Sequence, residues 1–250
     1  MIYGLYLSAN GLLTQSMRAD VISNNLANGS TQGFKRDFLA LRQRDPEVMR
    51  DGGPLNSRTR KELLAIGGAV EADRSHSIFT QGNLKPTGNP LDLALHGEGF
   101  FKVTDGQNEF YTRDGALTKD QEGFLVLQNG FRMMSQDGGA IQVGEGELHV
   151  DNAGRLLVDN AEVAQIGVFM PSKLDALHKI GENMFESLEP VVDEVAVNAR
   201  FVTGHLEASS VSSVREMTAL IEAHRAYEAN AKMISMQDET LGKAISQIAT

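Results

Sequence analysis

Residues 214–249 read VREMTALIEAHRAYEANAKMISMQDETLGKAISQIA. Within them Met217, Leu220, His224, Tyr227, Ala231, Ile234, Asp238, Leu241, Ile245 and Ile248 follow spacings that alternate three and four. All but His224 and Asp238 are apolar. Strict alternation of three and four is a heptad seam, narrower than the stripe of an ordinary amphipathic helix. The opposite end carries a similar pattern: Leu5, Leu12, Ala19 and Leu26 lie one heptad apart, with Ile22 on the same face. Two terminal helices of this kind bury each other or bury themselves against further copies. The expected assembly interface is therefore Leu5, Leu12, Ala19, Ile22 and Leu26 with Met217, Leu220, Tyr227, Ile234, Leu241 and Ile245. Gly11 and Gly242 weaken these helices, each by on the order of 1 kcal/mol against Ala. Both helices are accordingly expected to need a partner and to be largely unfolded in an isolated subunit.

Between the ends the texture changes. Turn dipeptides recur from Asp105-Gly106 through Asp114-Gly115, Glu122-Gly123 and Asn129-Gly130 to Asp137-Gly138, with short apolar runs such as Phe100–Val103 and Phe124–Leu127 between them. Strands of a few residues separated by such turns make an antiparallel β domain of hairpins. The first helix is expected to end near Asn28-Gly29, with Gly29 free to take a left-handed cap. Residues 34–44, FKRDFLALRQR, extend as a second short helix on composition, and the stretch with Pro46, Gly52, Gly53 and Pro54 reads as a linker. Ser212 or Ser213 caps the last helix, with Glu216 placed for a capping box. The fold class is thus α+β. Residues 1–44 and 205–250 form a coiled-coil-like helical assembly domain, 45–74 a linker, and 75–204 a central antiparallel β domain.

Composition narrows function. The formal net charge of −10, without a sustained Lys/Arg run, argues against nucleic acid. The chain has no Cys, so disulfides, thiolate catalysis and Cys-based zinc sites are excluded. The six His show no metal-ligand spacing. No nucleophile elbow or phosphate loop occurs, so no catalytic, cofactor or metal residue is assigned. The start MIYGLYLSANGLL lacks the basic n-region and cleavage site of a secretory signal. Leu63–Val70, the longest apolar run, is too short to span a bilayer. A coiled-coil homodimeric adhesin or scaffold displaying the β domain, and more remotely an acid-dependent hydrolase, are the alternatives to an assembly subunit.

Four segments, in order along the chain, resemble bacterial flagellar axial proteins of the rod and hook class. The first is Ser23-Asn-Asn-Leu-Ala-Asn28 with Ser30-Thr-Gln-Gly-Phe-Lys-Arg36, which carries Asn24, Asn25, Leu26, Ala27, Asn28, Gly33, Phe34 and Lys35. The second is Thr87-Gly-Asn-Pro-Leu-Asp-Leu-Ala-Leu95 with Gly97-Glu-Gly-Phe-Phe-Lys-Val103. The third is Tyr111-Thr-Arg-Asp-Gly115 with Asp120-Gln-Glu-Gly-Phe-Leu-Val126. The fourth is Gly204-His-Leu-Glu-Ala-Ser-Ser-Val211, then Glu216–Ile221 and Arg225-Ala-Tyr-Glu-Ala-Asn230, which carries Arg225 and Tyr227. Ser210 stands where the family usually has Asn, and His224 where Gln commonly precedes the last motif. The resemblance implies a non-enzymatic structural subunit of the basal-body rod, a hollow axial shaft, with the proximal-rod type favoured over the distal. It implies other rod subunits, further copies of itself and the flagellar type III export apparatus as partners. It also implies export without a cleaved signal, no membrane insertion and no cofactor. Phe34 and Phe38 beside Lys35 and Arg36 are a candidate contact for the export gate, or else anchor a short helix to the β domain.

Overall fold

The computed structural model describes residues 2–43, 70–146, 148–188, 192–195 and 199–248. They form two compact units. One comprises residues 1–27, 37–76 and 212–250; the other comprises 28–36 and 77–211.

The first unit is a helix pair with a small β ribbon. Helix α1 spans Ile2–Ala27 and helix α2 spans Ser213–Ile248. At 1.5 Å per residue α2 is about 54 Å long, so no local core can bury a whole face of it. The two helices pair with each other within the chain, so each finds there the partner it needs, and they run antiparallel in a fixed register. Gly4 lies against Gln237, Gly11 against Asn230, and Asn25 against Glu216. Each step of seven up α1 meets a step of seven down α2. Ala223, at the intermediate heptad position, is wholly buried.

Two corrections to the sequence reading follow in this unit. Residues 34–43, the described part of the expected second helix, are not helical. Strand β1 occupies Arg36–Gln43 and pairs with β2, Val70–Ile78. Phe38 stacks at 5.7 Å on His76, and Arg42 pairs with Glu71 at 3.3 Å, so the strands are antiparallel. The run Leu39-Ala40-Leu41-Arg42-Gln43 favours a helix by propensity, but that is a weak prior beside pairing with a second strand. Second, α1 does end at Ala27, yet Gly29 is not left-handed; Asn28 instead accepts from Thr31 through both its backbone oxygen and its side chain. Residues 44–69 lie outside the described residues, and most of the expected linker falls there.

The second unit is the β domain. Strands β3 (Leu84–Pro86) and β4 (Leu93–His96) pair with β18 (His205–Glu207) and β17 (Arg200–Thr203). Among the described residues the large sheet has nine strands. Its path runs from β14 (Leu177–Gly181) through β15 (Met184–Ser187), β6 (Glu109–Thr112), β5 (Phe100–Thr104), β9 (Arg132–Met133) and β8 (Leu125–Leu127) to β7 (Leu117–Lys119). β13 (Val168–Pro171) joins β5 and carries β16 (Asp193–Val195) beyond it. A separate three-stranded sheet holds β10 (Leu148–Val150), β11 (Arg155–Val158) and β12 (Ala161–Gln165). The antiparallel hairpins expected from the turn dipeptides are present. Asp114-Gly115 differs from the other four dipeptides: Gly115 has no positive φ, and instead lets the backbone of Leu93 pass against it.

β5 explains how the aromatics are used. Alternation sends Phe101 and Val103 into an aliphatic core with Leu93, Leu95, Leu125, Leu127, Met133 and Leu156. Phe100 faces the other way, into a smaller cluster with Tyr111, Phe169 and Phe185. Both faces of the strand are covered, which fixes its register.

Candidate functional sites: a buried charge cluster and an apolar helix surface

All four recognisable motifs converge on one place in the β unit. Lys35 is fully buried, and its Nζ donates to Glu207 Oε1 at 2.6 Å and to the Thr80 carbonyl at 2.9 Å. Arg113 reaches the other carboxylate oxygen through Nη1 at 3.3 Å, and its Nη2 donates to the Gly97 carbonyl at 2.8 Å. Glu207 Oε1 also accepts the Gly82 amide at 2.7 Å. Lys35 belongs to the first motif, Gly97 to the second, Arg113 to the third and Glu207 to the fourth. The guanidinium packs 5.3 Å above the Phe100 ring. Burial pushes the Lys35 ammonium and the Arg113 guanidinium below their usual values, and Glu207 opposes the shift in both.

Backbone contacts close the same junction. Gly33, with φ +67°, donates its amide to the Glu207 carbonyl at 2.8 Å. A β-carbon there would lie 2.8 Å from the Arg113 carbonyl carbon and the Asp114 nitrogen, so both conformation and space require glycine. Ser210, the departure from the usual Asn, donates its amide to the Phe34 carbonyl and accepts the Arg36 amide on Oγ, both at 3.0 Å. Lys179 donates to the Lys35 carbonyl at 2.8 Å, its Nζ lying 3.9 Å over the Phe34 ring. Asn183 donates to the Gln32 carbonyl at 2.6 Å. Segment 28–36 is thereby stapled to strands drawn from the whole β unit.

Asn25 does comparable work in the helical unit. Its side-chain amide donates to the Asp37 carbonyl at 2.7 Å and accepts the Asp37 amide at 2.9 Å. One side chain thus pairs with β1 as a strand would. It also points Nδ2 at Glu216 Oε2, 3.5 Å away. Glu216, read from sequence as part of a capping box, is 2% exposed at this contact.

The remaining predicted residues separate into two groups. Ile22 is buried, and Leu5, Leu12, Ala19, Leu26, Leu220, Ile234 and Leu241 are half-buried. Met217, Tyr227 and Ile245 are exposed, as are Asn24, Ala27 and Arg225; Asn28 is half-buried. Glu216, Asn230 and Gln237, each one residue before a seam position, touch α1, and Ala223 is buried between them in sequence. Val214, Met217, Ile221, Met233, Met236 and Ile245 are left exposed on α2, and Leu13 and Met17 on α1. Phe34 is buried and Phe38 is exposed. Sequence reasoning did not single out Glu207 or Arg113. Their signal was a charged residue at a fixed place inside a recognisable family motif.

Among the described residues no group of three or more His, Asp or Glu is placed to hold a metal ion, and no helix is long and apolar enough to cross a membrane. A chain whose motif residues form a structural staple, and whose terminal helices pair while keeping apolar residues outside, has the build of a structural subunit. Comparison with known proteins agrees. Residues 5–35 match the family described as flagella basal body rod protein, and residues 94–182 the D1 domain of flagellar hook protein FlgE/F/G. Residues 202–247 match the C-terminal family of flagellar basal body rod FlgEFG proteins. The flagellar basal-body rod protein FlgF of Caulobacter vibrioides is 35% identical over 248 residues, covering 98% of this chain and 97% of that protein. The rod protein FlgG of Buchnera aphidicola is 32% identical over 266 residues, covering 99% and 100%. FlgG of Bacillus subtilis is 28% identical over 263 residues, covering 98% and 99%. The chain belongs to the flagellar basal-body rod protein family and is a structural component of the flagellar basal body.

Proposed function

We propose that this subunit polymerises through its terminal helices into the hollow axial shaft of the rod. Its neighbours are other rod subunits and further copies of itself. The observation that carries the reading is the row of apolar side chains on α2 that α1 does not cover, with Val214, Met217 and Ile221 exposed at one end. Burial of each such side chain in an intersubunit contact contributes roughly 1.5–3 kcal/mol. Exposed charge pairs such as Glu239–Lys243, at 2.7 Å, add only tenths of that. Apolar contacts therefore decide assembly, with coiled-coil-like packing between subunits.

The subunit reaches the rod as an unfolded chain through the flagellar type III export apparatus, and carries out no chemistry there. The proximal-rod type is favoured over the distal, as the resemblance of the motifs implies. The alignment with the FlgF relative spans 248 residues, whereas those with the FlgG relatives of Buchnera and Bacillus span 266 and 263, more than the whole of this chain. Those relatives therefore carry positions this chain lacks.

The test is Ile221→Asp, which places an unpaired charge in the proposed contact. The variant is expected to be exported, to keep the wild-type melting transition of its β unit, and to fail to support hook and filament assembly. Glu222→Lys, on an exposed neighbouring position, is the control and is expected to assemble. Normal motility of Ile221→Asp cells would sink the assignment of this face.

A further inference from the structure

Glu216, Asn230 and Gln237 of α2 meet Asn25, Gly11 and Gly4 of α1, a line of small and polar residues, while large apolar side chains such as Val214, Met217 and Ile221 stay exposed. A methyl group at Gly11 would sit 2.9 Å from Asn230 Oδ1 and 3.1 Å from its Cγ. One at Gly4 would sit 3.1 Å from Gln237 Nε2. Asn230 Nδ2 is held by its own helix, donating to the Ala226 carbonyl at 2.9 Å, so its Oδ1 is turned toward α1. Ser8 is buried on α1; Thr14 is buried as well, but donates to the Val70 carbonyl of β2 at 3.2 Å and so belongs to a different contact. Asn10 Nδ2, Gln15 Oε1 and Gln237 Oε1 are buried without a hydrogen-bond partner among the described residues. Buried, unpaired amide atoms cost stability, so apolar burial alone does not account for this line.

We infer that Gly4 and Gly11 are sockets for the side-chain amides of Gln237 and Asn230, and that this fit selects the register of α1 on α2. The apolar pattern cannot make that choice. Leu5, Leu12, Ala19 and Leu26 repeat every seven residues, as do Leu220, Tyr227, Ile234 and Leu241. A slip of one heptad therefore keeps apolar residues beside apolar residues. The sockets distinguish it: of the two amide-glycine fits, a slip in either direction keeps one and loses the other. A slip in one direction sets Asn230 against Arg18. A slip in the other carries Gln237 beyond the end of α1 and separates Asn25 from Glu216. A single buried Asn at a heptad position is enough to specify register in other helix pairs; here each amide also has a glycine shaped to receive it. The four residues therefore act as specificity determinants for which helix α1 accepts, and where. This holds for pairing within one chain and does not rest on polymerisation.

The experiment exploits the absence of native Cys. Arg18→Cys and Ala223→Cys introduce thiols at matched heptad positions midway along the line, and oxidation of the dilute full-length chain is followed by non-reducing gel mobility. The otherwise unchanged chain is expected to form a single intrachain disulfide. Adding Gly11→Asn is expected to slow that reaction about tenfold or more. Helix propensity alone predicts the opposite, because Asn is the better helix former. Exchanging knob and socket, Gly11→Asn with Asn230→Gly, is expected to return the rate to within about threefold of the parent. If Gly11→Asn unfolds the helices outright, the exchanged pair still decides: recovery of the disulfide supports the inference. Crosslinking by Gly11→Asn at the parental rate, or no recovery in the exchanged pair, overturns it. Failure of Ile221→Asp to disturb assembly would leave this result untouched.

Discussion

The buried cluster around Glu207 predicts an order of damage that ordinary contact loss would not give. It holds two cations, Lys35 and Arg113, and one carboxylate, with side-chain exposures of 0%, 4% and 1%. Glu207→Gln keeps the shape and one acceptor oxygen for Lys35 and the Gly82 amide. It leaves two buried cations with no anion between them. Breaking a buried pair in this way costs about 3–5 kcal/mol. In a unit of this size that lowers the melting temperature by roughly 10 °C, taking about 2–4 °C per kcal/mol. Lys35→Met removes one cation, fills the space of the stem, and leaves Glu207 balanced by Arg113. Its cost is the lost hydrogen bonds to Glu207 and the Thr80 carbonyl, about 1–3 kcal/mol. Glu207→Gln should therefore be clearly worse than Lys35→Met, and the gap should change little with salt, since buried charges are weakly screened. The assay is thermal unfolding of the purified subunit at low and high ionic strength, with hydrogen exchange of residues 28–36 as the local readout. Equal destabilisation, or a larger loss in Lys35→Met, would refute the charge count on which the argument rests.

Phe34→Ala is expected to destabilise the β unit by about 3–5 kcal/mol because the ring is 3% exposed, while Phe38→Ala, at 41% exposure, should cost less than about 1 kcal/mol in chemical denaturation. Gly33→Ala should lower stability by more than about 1 kcal/mol, since the added carbon meets the Arg113–Asp114 backbone in a left-handed conformation. The Asp114 carboxyl is pushed up by burial, with its acceptance of the Ala116 amide opposing and Asp92 adding to the rise. A raised folded-state value means the protonated form is favoured by folding; that contribution is complete below the unfolded value of about 3.9 and is lost as pH rises through the folded one. Asp114→Asn should thus be at least as stable as the parent at pH 7, with any advantage closing below about pH 4 in a pH-dependent melting series. A parent that outlasts Asp114→Asn at pH 7 would contradict this sign.

The helices, the hairpin-rich middle and the family were legible because each rests on local pattern. Heptad spacing over 214–249 needs no tertiary information, nor do turn dipeptides between short apolar runs. The motif around Asn25 and Lys35 was recognisable as residue types at fixed spacing. What those residues do was not legible. Asn25 serves as a strand mimic for Asp37, 12 positions away, and Lys35 finds its carboxylate 172 positions away. No periodicity encodes a contact at that separation.

The same division explains the misread second helix and the role of Gly11. Residues 36–43 contain good helix formers, and only the presence of β2 turns them into a strand. Gly11 reads as a defect in a helix considered alone; beside Asn230 it is the space into which a neighbour fits. Sequence by itself determined which segments are helical ends, which are hairpins, and which family the chain resembles, because backbone propensity and side-chain period act over a few residues. Only the tertiary structure decided which face of each helix is turned inward and which charges are buried together. Those choices depend on steric fit and electrostatic balance between groups far apart in the chain, which come into contact only on folding.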